Sequence, residues 1–226
     1  RMWDFQAAQK VDLFVANSKT TAERIKKYYR RESIIIHPPV ETKKFFISNN
    51  TKSYYLTGGR LVAYKRFDIA INAFNQLGIK LKIFGCGPEL QKLKKIAKPN
   101  IEFLGKVDDK ILAALYGNCI AFIHPQIEDF GITAVEAMAS GRPVIAFGVG
   151  GACETVVNNV TGVFFEDQSW EALADTVVRF RPEIFDPQKI KAYAEQFNTE
   201  NFKTQITNLV AEKWAEREKS RIVCRS

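Results

Sequence analysis

Glu128 and Glu136 stand eight positions apart in the stretch Ile127-Glu-Asp-Phe-Gly-Ile-Thr-Ala-Val-Glu-Ala137, with Gly131 between them. An apolar run from Cys119 to Ile123 leads into this stretch, which predicts a strand, a short loop and then a helix from Gly131 through Ser140. Gly141 and Pro143 stop that helix before a second strand, Val144 to Phe147. A helix start leaves several backbone N–H groups unpaired and carries a partial positive charge, so it favours a bound anion such as phosphate. Gly131 lets such a ligand approach the backbone. The carboxylates on either side can accept hydrogen bonds from sugar hydroxyls, and together these features suit a nucleotide sugar. The same two residues would also serve merely to offset the helix dipole, and their spacing alone does not separate the two roles.

A second group lies upstream. Arg60 and Lys65 flank Leu-Val-Ala-Tyr between a predicted strand and a predicted helix. Two cations at such a loop can neutralise a diphosphate, arginine through its forked donors and lysine as a point charge. They would equally be solvated surface charges, and adjacent Arg66 leaves open which cation faces a ligand. Gly85-Cys-Gly-Pro-Glu-Leu and Gly148-Val-Gly-Gly-Ala-Cys lack the sixth-position glycine of a dinucleotide fingerprint, having Leu90 and Cys153 there. The first reads as a tight strand–helix turn; the second, through Gly150-Gly151, is expected to let backbone approach a ligand. His37 and His124 each end a strand before proline and read as structural.

The elements that must position these residues follow a regular rhythm. Val11–Ala16 and Ser33–His37 read as strands around a helix, Thr20–Tyr29, capped by Asn17-Ser18. A polar, irregular stretch from Val40 to Lys52 follows. Strands at Ser53–Thr57, Lys80–Phe84, Ile101–Leu104, Cys119–Ile123, Pro143–Phe147 and Val163–Phe165 then alternate with helices, among them Phe67–Leu77, Glu89–Ala97, Asp108–Tyr116 and Trp170–Phe180. That alternation predicts an α/β fold, a Rossmann-like parallel sheet with helices on both faces and ligands beyond the carboxyl ends of its strands. The tail reads as helices at Pro187–Gln196 and from Thr199 to about Lys219. Phe202, Ile206, Leu209 and Trp214 are expected to form an exposed apolar stripe there. Residues 217–226 read as a polar, frayed end.

Composition narrows the classes. With 46% hydrophobic and 26% charged residues the chain reads as an ordinary globular protein, and no apolar run approaches the length of a membrane span. The expected location is cytoplasmic. The net charge of +8 suits anionic partners, including peripheral contact with an anionic membrane; no basic run interleaved with aromatics points to nucleic acid. Cys86, Cys119, Cys153 and Cys224 are widely spaced with no C-x-x-C pair, and three sit in or beside core-like runs, which favours buried thiols in a reducing compartment over a disulfide scaffold or zinc site; two histidines argue against a histidine-based metal cluster.

Taken together, Gly-Gly-Arg60-Leu-Val-Ala-Tyr-Lys65, Phe-Gly85-Cys-Gly-Pro-Glu, Phe-Leu-Gly105-Lys-Val-Asp, Glu128-Asp-Phe-Gly-Ile-Thr-Ala-Val-Glu136-Ala and Gly141-Arg-Pro-Val resemble the retaining glycosyltransferases of family 4. These have the GT-B fold, two Rossmann-like domains facing across a cleft. Within the family, Ile-His37-Pro-Pro-Val-Glu-Thr, Tyr-Lys65-Arg-Phe-Asp and Glu128-Asp-Phe-Gly look most like GDP-mannose-dependent mannosyltransferases of O-antigen and related polysaccharides. The resemblance implies that Arg60 and Lys65 bind the donor diphosphate, Glu128 the transferred sugar and Glu136 the ribose. It implies backbone contacts from Phe130, Gly131 and Ile132, with Val107 beside the base, Glu128, Arg60 and Lys65 as the catalytic set, and no metal or other cofactor. Lys65-Arg66 departs from the Lys-Gly commoner in the family.

The implied domain plan has four parts. Residues 1–40 would be a remnant of an N-terminal acceptor domain, 41–52 a linker, 53–186 the donor domain and 187–226 helices packing back toward the N-terminal domain. A chain opening at Arg1 in helical text reads as a fragment, expected to transfer no sugar by itself. The implied activity is retaining transfer from a nucleotide sugar to a saccharide or lipid-linked acceptor. The alternatives are a sugar-nucleotide epimerase of the same fold and an inactive nucleotide-sugar-binding module.

Overall fold

The computed structural model describes residues 2–51 and 53–223. Helix α1 (Met2–Gln9) precedes strand β1 (Phe14–Ala16), helix α2 (Lys19–Tyr29) and strand β2 (Ser33–Ile35). β1 and β2 pair in parallel as a separate two-stranded sheet. Ser18 caps α2, its hydroxyl accepting from the Thr21 amide at 3.0 Å.

The main sheet is built by β3 (Tyr55–Gly58), α3 (Phe67–Leu77), β4 (Leu81–Phe84), α4 (Leu90–Ile96), β5 (Ile101–Gly105), α5 (Asp109–Asn118) and β6 (Phe122–His124). It continues through α6 (Ile132–Ala139), β7 (Val144–Phe147), the short α7 (Ala152–Thr155), β8 (Gly162–Phe165) and α8 (Trp170–Arg179). The six strands are parallel in the order β5-β4-β3-β6-β7-β8. Successive strand residues alternate between faces, so both must be apolar when helices cover both. Leu56, Phe84, Phe122 and Val144 meet Tyr116 of α5 and Met138 of α6 in one core cluster. Tyr55, Ile83, Ile123 and Ile145 meet Phe74 of α3 and Leu173 of α8 in the other. This is the Rossmann-like α/β sheet expected from the sequence.

Strand order reverses between β3 and β6. At such a point the loops leaving adjacent strands diverge to opposite faces and open a crevice beyond their carboxyl ends. The loops that leave β3 and β6 carry Arg60 with Lys65 and Glu128 with Gly131 respectively.

Several boundaries differ from the sequence reading. β1 begins at Phe14 rather than Val11, β2 ends at Ile35, and β6 spans Phe122–His124. α7, with four residues, carries no period to detect. The stretch after Val40 is irregular but pinned. Thr42 and Phe45 are buried, the Val40 amide donates to Phe197 at 2.9 Å, and Arg142 reaches the Ser48 carbonyl at 2.6 Å. The tail forms α9 (Pro187–Ala194), which packs on α6, and α10 (Thr199–Val223). The expected stripe on α10 is only partly exposed: Leu209 is buried, Phe202 and Ile206 are half-buried, and Trp214 with Val210 faces solvent. The expected polar end at 217–226 lies partly outside the described residues.

Candidate functional site

The β3 loop rests on the turn after β4. Gly59 donates to Phe84 at 3.1 Å, Leu61 donates to Cys86 at 2.9 Å, and Glu89 donates back to Leu61 at 3.1 Å. A Cβ at Gly85 would fall 1.8 Å from the Gly59 oxygen, and one at Gly87 2.2 Å from the Leu61 oxygen. The glycine turn thus lets two loop backbones touch, consistent with a structural strand–helix turn. Past it, residues 63–65 form a single 3-10 turn, and Arg66 enters α3 with left-handed φ of 52°. The Arg66 guanidinium grips Asp68 at 3.1 and 3.0 Å. Lys65 is left facing the crevice, where its ammonium lies 2.8 Å from Glu128 Oε1, with the two side chains only 13% and 16% exposed. Arg60 is exposed and forms no ion pair among the described residues.

The β6 loop answers from the other side. Gly131 caps α6 at φ 90°, a conformation side chains rarely take. The amides of Ile132 and Thr133 donate to no group among the described residues, and Thr133 Oγ1 is buried without a partner. A helix start with free amides therefore opens next to the Lys65–Glu128 pair. Gly150 and Gly151, expected to let backbone approach a ligand, lie against the β6 loop. Their backbone packs under that loop: the Gly151 amide donates to the Glu128 carbonyl at 2.7 Å, and a Cβ at Gly151 would sit 2.3 Å from the Asp129 oxygen. The resulting cavity, about 560 Å³, is lined by Asn17, Tyr64, Lys65, Glu128, Gly131 and Thr133 among others.

Two contacts that bring α2 to these loops escaped the sequence. Arg24 of α2 lines the cavity and pairs with Asp129, a contact across more than a hundred positions that no local pattern signals. Glu154 of α7 accepts from the Lys19 and Thr20 amides at 2.8 and 3.3 Å, seating the start of α2 against the β7 loop. His37 stacks on Phe130 with centroids 5.2 Å apart, and Phe197 packs edge-on against both rings. His37 also meets the Asn17 carbonyl at 3.1 Å, in keeping with a structural role.

Glu136 occupies a second, smaller cavity of about 170 Å³ with Lys44, Phe45, Asp109 and Leu112. Ile132 lines both cavities. The Tyr116 hydroxyl donates to Glu136 Oε2 at 3.0 Å. Burial pushes the Glu136 carboxyl up to about 7, against the opposing pull of that hydrogen bond. Tyr116 is fully buried, and its own phenol is raised well above the ordinary value by burial and by Glu136. Nothing in the α5 sequence distinguishes it from a core aromatic. Val107, expected beside a base, is half-buried against the core and does not line this cavity; Asp109 and Leu112 of the following helix do.

Of the cysteines expected to be buried, Cys119 is, whereas Cys86 and Cys153 are exposed; Cys224 lies outside the described residues. Among the described residues, no cluster of three or more His, Cys, Asp or Glu is arranged to hold a metal ion, and no helix is long and apolar enough to cross a membrane.

A parallel sheet with an anion-ready helix start at its switch point defines a Rossmann-like ligand domain. Sucrose-phosphate synthase of Thermosynechococcus elongatus superposes with a TM-score of 0.84 over 95% of this chain and 61% of that one, at 22% identity. HepE of Anabaena, solved with UDP and glucose, superposes with a TM-score of 0.80 over 91% of this chain and 64% of that one, also at 22% identity. The fold is the α/β parallel-sheet fold of GT-B glycosyltransferases. Residues 39–197 match the family described as "Glycosyl transferases group 1", and the chain belongs to that family.

Among curated relatives, an uncharacterized glycosyltransferase of Methanocaldococcus jannaschii is 27% identical over 74% of this chain and 49% of its own length. A GDP-mannose-dependent alpha-(1-6)-phosphatidylinositol monomannoside mannosyltransferase of Mycobacterium tuberculosis is 35% identical over 52% of this chain and 35% of its own length. The chain spans about half, or less, of the length of these relatives.

Proposed function

We propose that the crevice between the β3 and β6 loops is the donor site of a retaining glycosyltransferase that takes a nucleotide sugar, GDP-mannose in the first instance. The observation that carries this reading is the Lys65–Glu128 pair, 2.8 Å apart, beside the unpaired amides that open α6. An ion pair in a half-dry crevice supplies both functions a nucleotide sugar needs: a cation for phosphate and a carboxylate for hydroxyls. On this reading Lys65, joined by the unpaired Arg60, binds the diphosphate together with the backbone of Phe130, Gly131 and Ile132. Glu128 takes the hydroxyls of the transferred sugar. Glu136, in the neighbouring cavity that shares Ile132, takes the ribose hydroxyls, and the base lies beside Val107, which precedes α5 and is half-buried against the core.

Front-face attack by the acceptor, on the side from which the phosphate departs, needs no protein nucleophile. What it needs is stabilisation of the negative charge that grows on the leaving diphosphate. Preorganised donors in a water-poor site meet that charge at little reorganisation cost, and the role falls to Lys65, Arg60 and the α6 helix start.

The mannosyl assignment draws on the resemblance in the loops and on the mycobacterial relative's printed activity. The Anabaena structure with UDP and glucose makes a uridine donor the comparison to run against it. The accompanying domain plan takes residues 1–40 as the close of an acceptor-side domain, 41–52 as linker, 53–186 as the donor domain and 187–226 as helices returning toward the acceptor side. The acceptor is a saccharide or lipid-linked saccharide, and these 226 residues alone bind donor without transferring sugar.

Isothermal titration with GDP, GDP-mannose, UDP and UDP-glucose tests the reading. Binding of a nucleotide sugar that depends on Lys65 is the expected result. Absence of heat with all four at millimolar concentration would sink it.

A further inference from the structure

His124, the last residue of β6, read from sequence as a structural strand end. It is fully buried, yet its Nε2 has no hydrogen-bond partner among the described residues. Its Nδ1 lies 3.1 Å from the Gln126 side-chain amide nitrogen. If that amide donates, Nδ1 accepts and the ring proton sits on Nε2. Nε2 in turn faces Glu128 Oε2 at 4.0 Å, beneath Gly131, where a Cβ would approach it to 3.2 Å. The opposite arrangement, with Gln126 turned over, would aim the Nε2 lone pair at the carboxylate and repel it. Geometry therefore selects the Nε2–H form, a buried donor stopped short of the nearest acceptor.

Glu128 explains the gap. Its other oxygen, Oε1, is held by Lys65 at 2.8 Å. A core-filling role would be served better by an apolar ring, because a buried N–H without an acceptor is costly. Burial holds the imidazole neutral by lowering its pKa to about 4, with Glu128 opposing and Lys65 reinforcing the shift. A neutral donor can orient a carboxylate without competing as a cation for phosphate.

We propose that His124 is a positioning residue for Glu128: when Lys65 turns to an anionic ligand, the His124 Nε2–H closes on Glu128 Oε2 and holds that carboxylate toward the ligand's sugar. This rests on the donor-site reading above and deepens it. The Lys65 ammonium would otherwise leave Glu128 free to rotate at the moment it is needed. Gly131 is part of the same device, since any side chain there would press on the imidazole.

The test compares the full chain with His124→Phe and His124→Gln, titrating GDP-mannose and UDP-glucose each against its own nucleoside diphosphate. His124→Phe is expected to weaken the nucleotide sugar by about tenfold while leaving the diphosphate nearly unchanged, the scale of one hydrogen bond to a charged group. His124→Gln, whose amide nitrogen falls near the Nε2 position, is expected to recover most of the loss. Equal losses for sugar nucleotide and diphosphate, or no loss, overturn the proposal while leaving the donor site standing. Failure of the unsubstituted chain to bind any of these compounds overturns both. Should the variants fail to fold, nitrogen-15 NMR of the unsubstituted chain still decides, because His37 is the only other histidine. The proton must reside on Nε2 of His124, and its resonance must shift in Glu128→Gln. A proton on Nδ1, or an unmoved Nε2 resonance, rejects the role.

Discussion

Glu128 and Glu136 are the same residue type, eight positions apart around one helix start, and the structure gives them opposite environments. Glu128 sits on a loop, held by Lys65 at 2.8 Å in an ion pair open to a cavity of about 560 Å³. Glu136 lies one turn inside α6, where its hydrogen-bond partner is a neutral phenol and burial pushes it up to about 7. The first carboxylate faces a cation that can exchange partners. The second is poised between protonation states near neutral pH, so it can accept from a hydroxyl when ionised and is sensitive to pH. The difference teaches that charge compensation, not position along the helix, decides what a carboxylate can do. The experiments below try to erase that difference or enlarge it.

The largest effect is expected from breaking the ion pair. Lys65→Ala removes the cation and leaves Glu128 without its partner. Affinity for a nucleoside diphosphate should fall by roughly ten- to a hundredfold, from a charge-assisted hydrogen bond worth about 1.5–3 kcal/mol. Affinity for the nucleoside should be nearly unchanged. Equal losses for both in calorimetry would mean that Lys65 holds the fold rather than the phosphate.

Gly131→Ala attacks the frame that separates the two carboxylates. An alanine at φ 90° is strained, and its Cβ would press on His124 at 3.2 Å. A loss of about 1–3 kcal/mol in unfolding free energy is expected, measured by urea titration. A fully stable variant would show that the helix start can relax, and that the glycine is needed only for ligand approach.

Glu136→Gln tests the pH side of the contrast. Because the folded pKa of Glu136 is raised, its stabilising contribution is present below about 4.5 and is lost as pH rises through about 7. His124 has the opposite sign: its folded pKa is lowered to about 4, so its contribution is present above 6.5 and is lost as pH falls through about 4. Between these limits the two slopes oppose each other. Removing Glu136 should leave a chain whose stability falls more steeply toward acid, read from melting temperatures between pH 4 and 8. An unchanged pH profile would place Glu136 in water rather than in a dry pocket.

Tyr116→Phe is the gentler version of the same test. It removes the 3.0 Å donor to Glu136 without altering the ring that packs Phe45, Phe84 and Phe122. A net cost of about 1 kcal/mol is expected, together with a further rise in the carboxyl pKa followed by carbon-13 NMR. Smallest of all, Arg60→Ala should change stability by no more than about 0.5 kcal/mol, as exposed sites usually do, while still weakening the diphosphate. No loss of diphosphate affinity would remove Arg60 from the site.

The alternation of apolar strands and helices determined the parallel sheet, because each strand reads as a buried run and each helix carries one apolar stripe. α3 matches its expected limits at Phe67 and Leu77 because its face, its cap glycine and its length all agree. The glutamate pair, the cations and the glycine turns were legible for the same reason: each is a local pattern a few residues long. Tertiary structure decided what those residues touch. That Lys65 rather than Arg66 enters the crevice follows from Asp68 capturing Arg66. That Gly150 and Gly151 support the Glu128 loop follows from the packing of two loops more than twenty residues apart. Tyr116 under Glu136, Arg24 against Asp129 and the unpaired nitrogen of His124 are likewise products of the fold. Periodicity reports which face of an element is buried; it carries no information about which side chain from another element will meet it there, and that meeting is what sets charge, proton and partner.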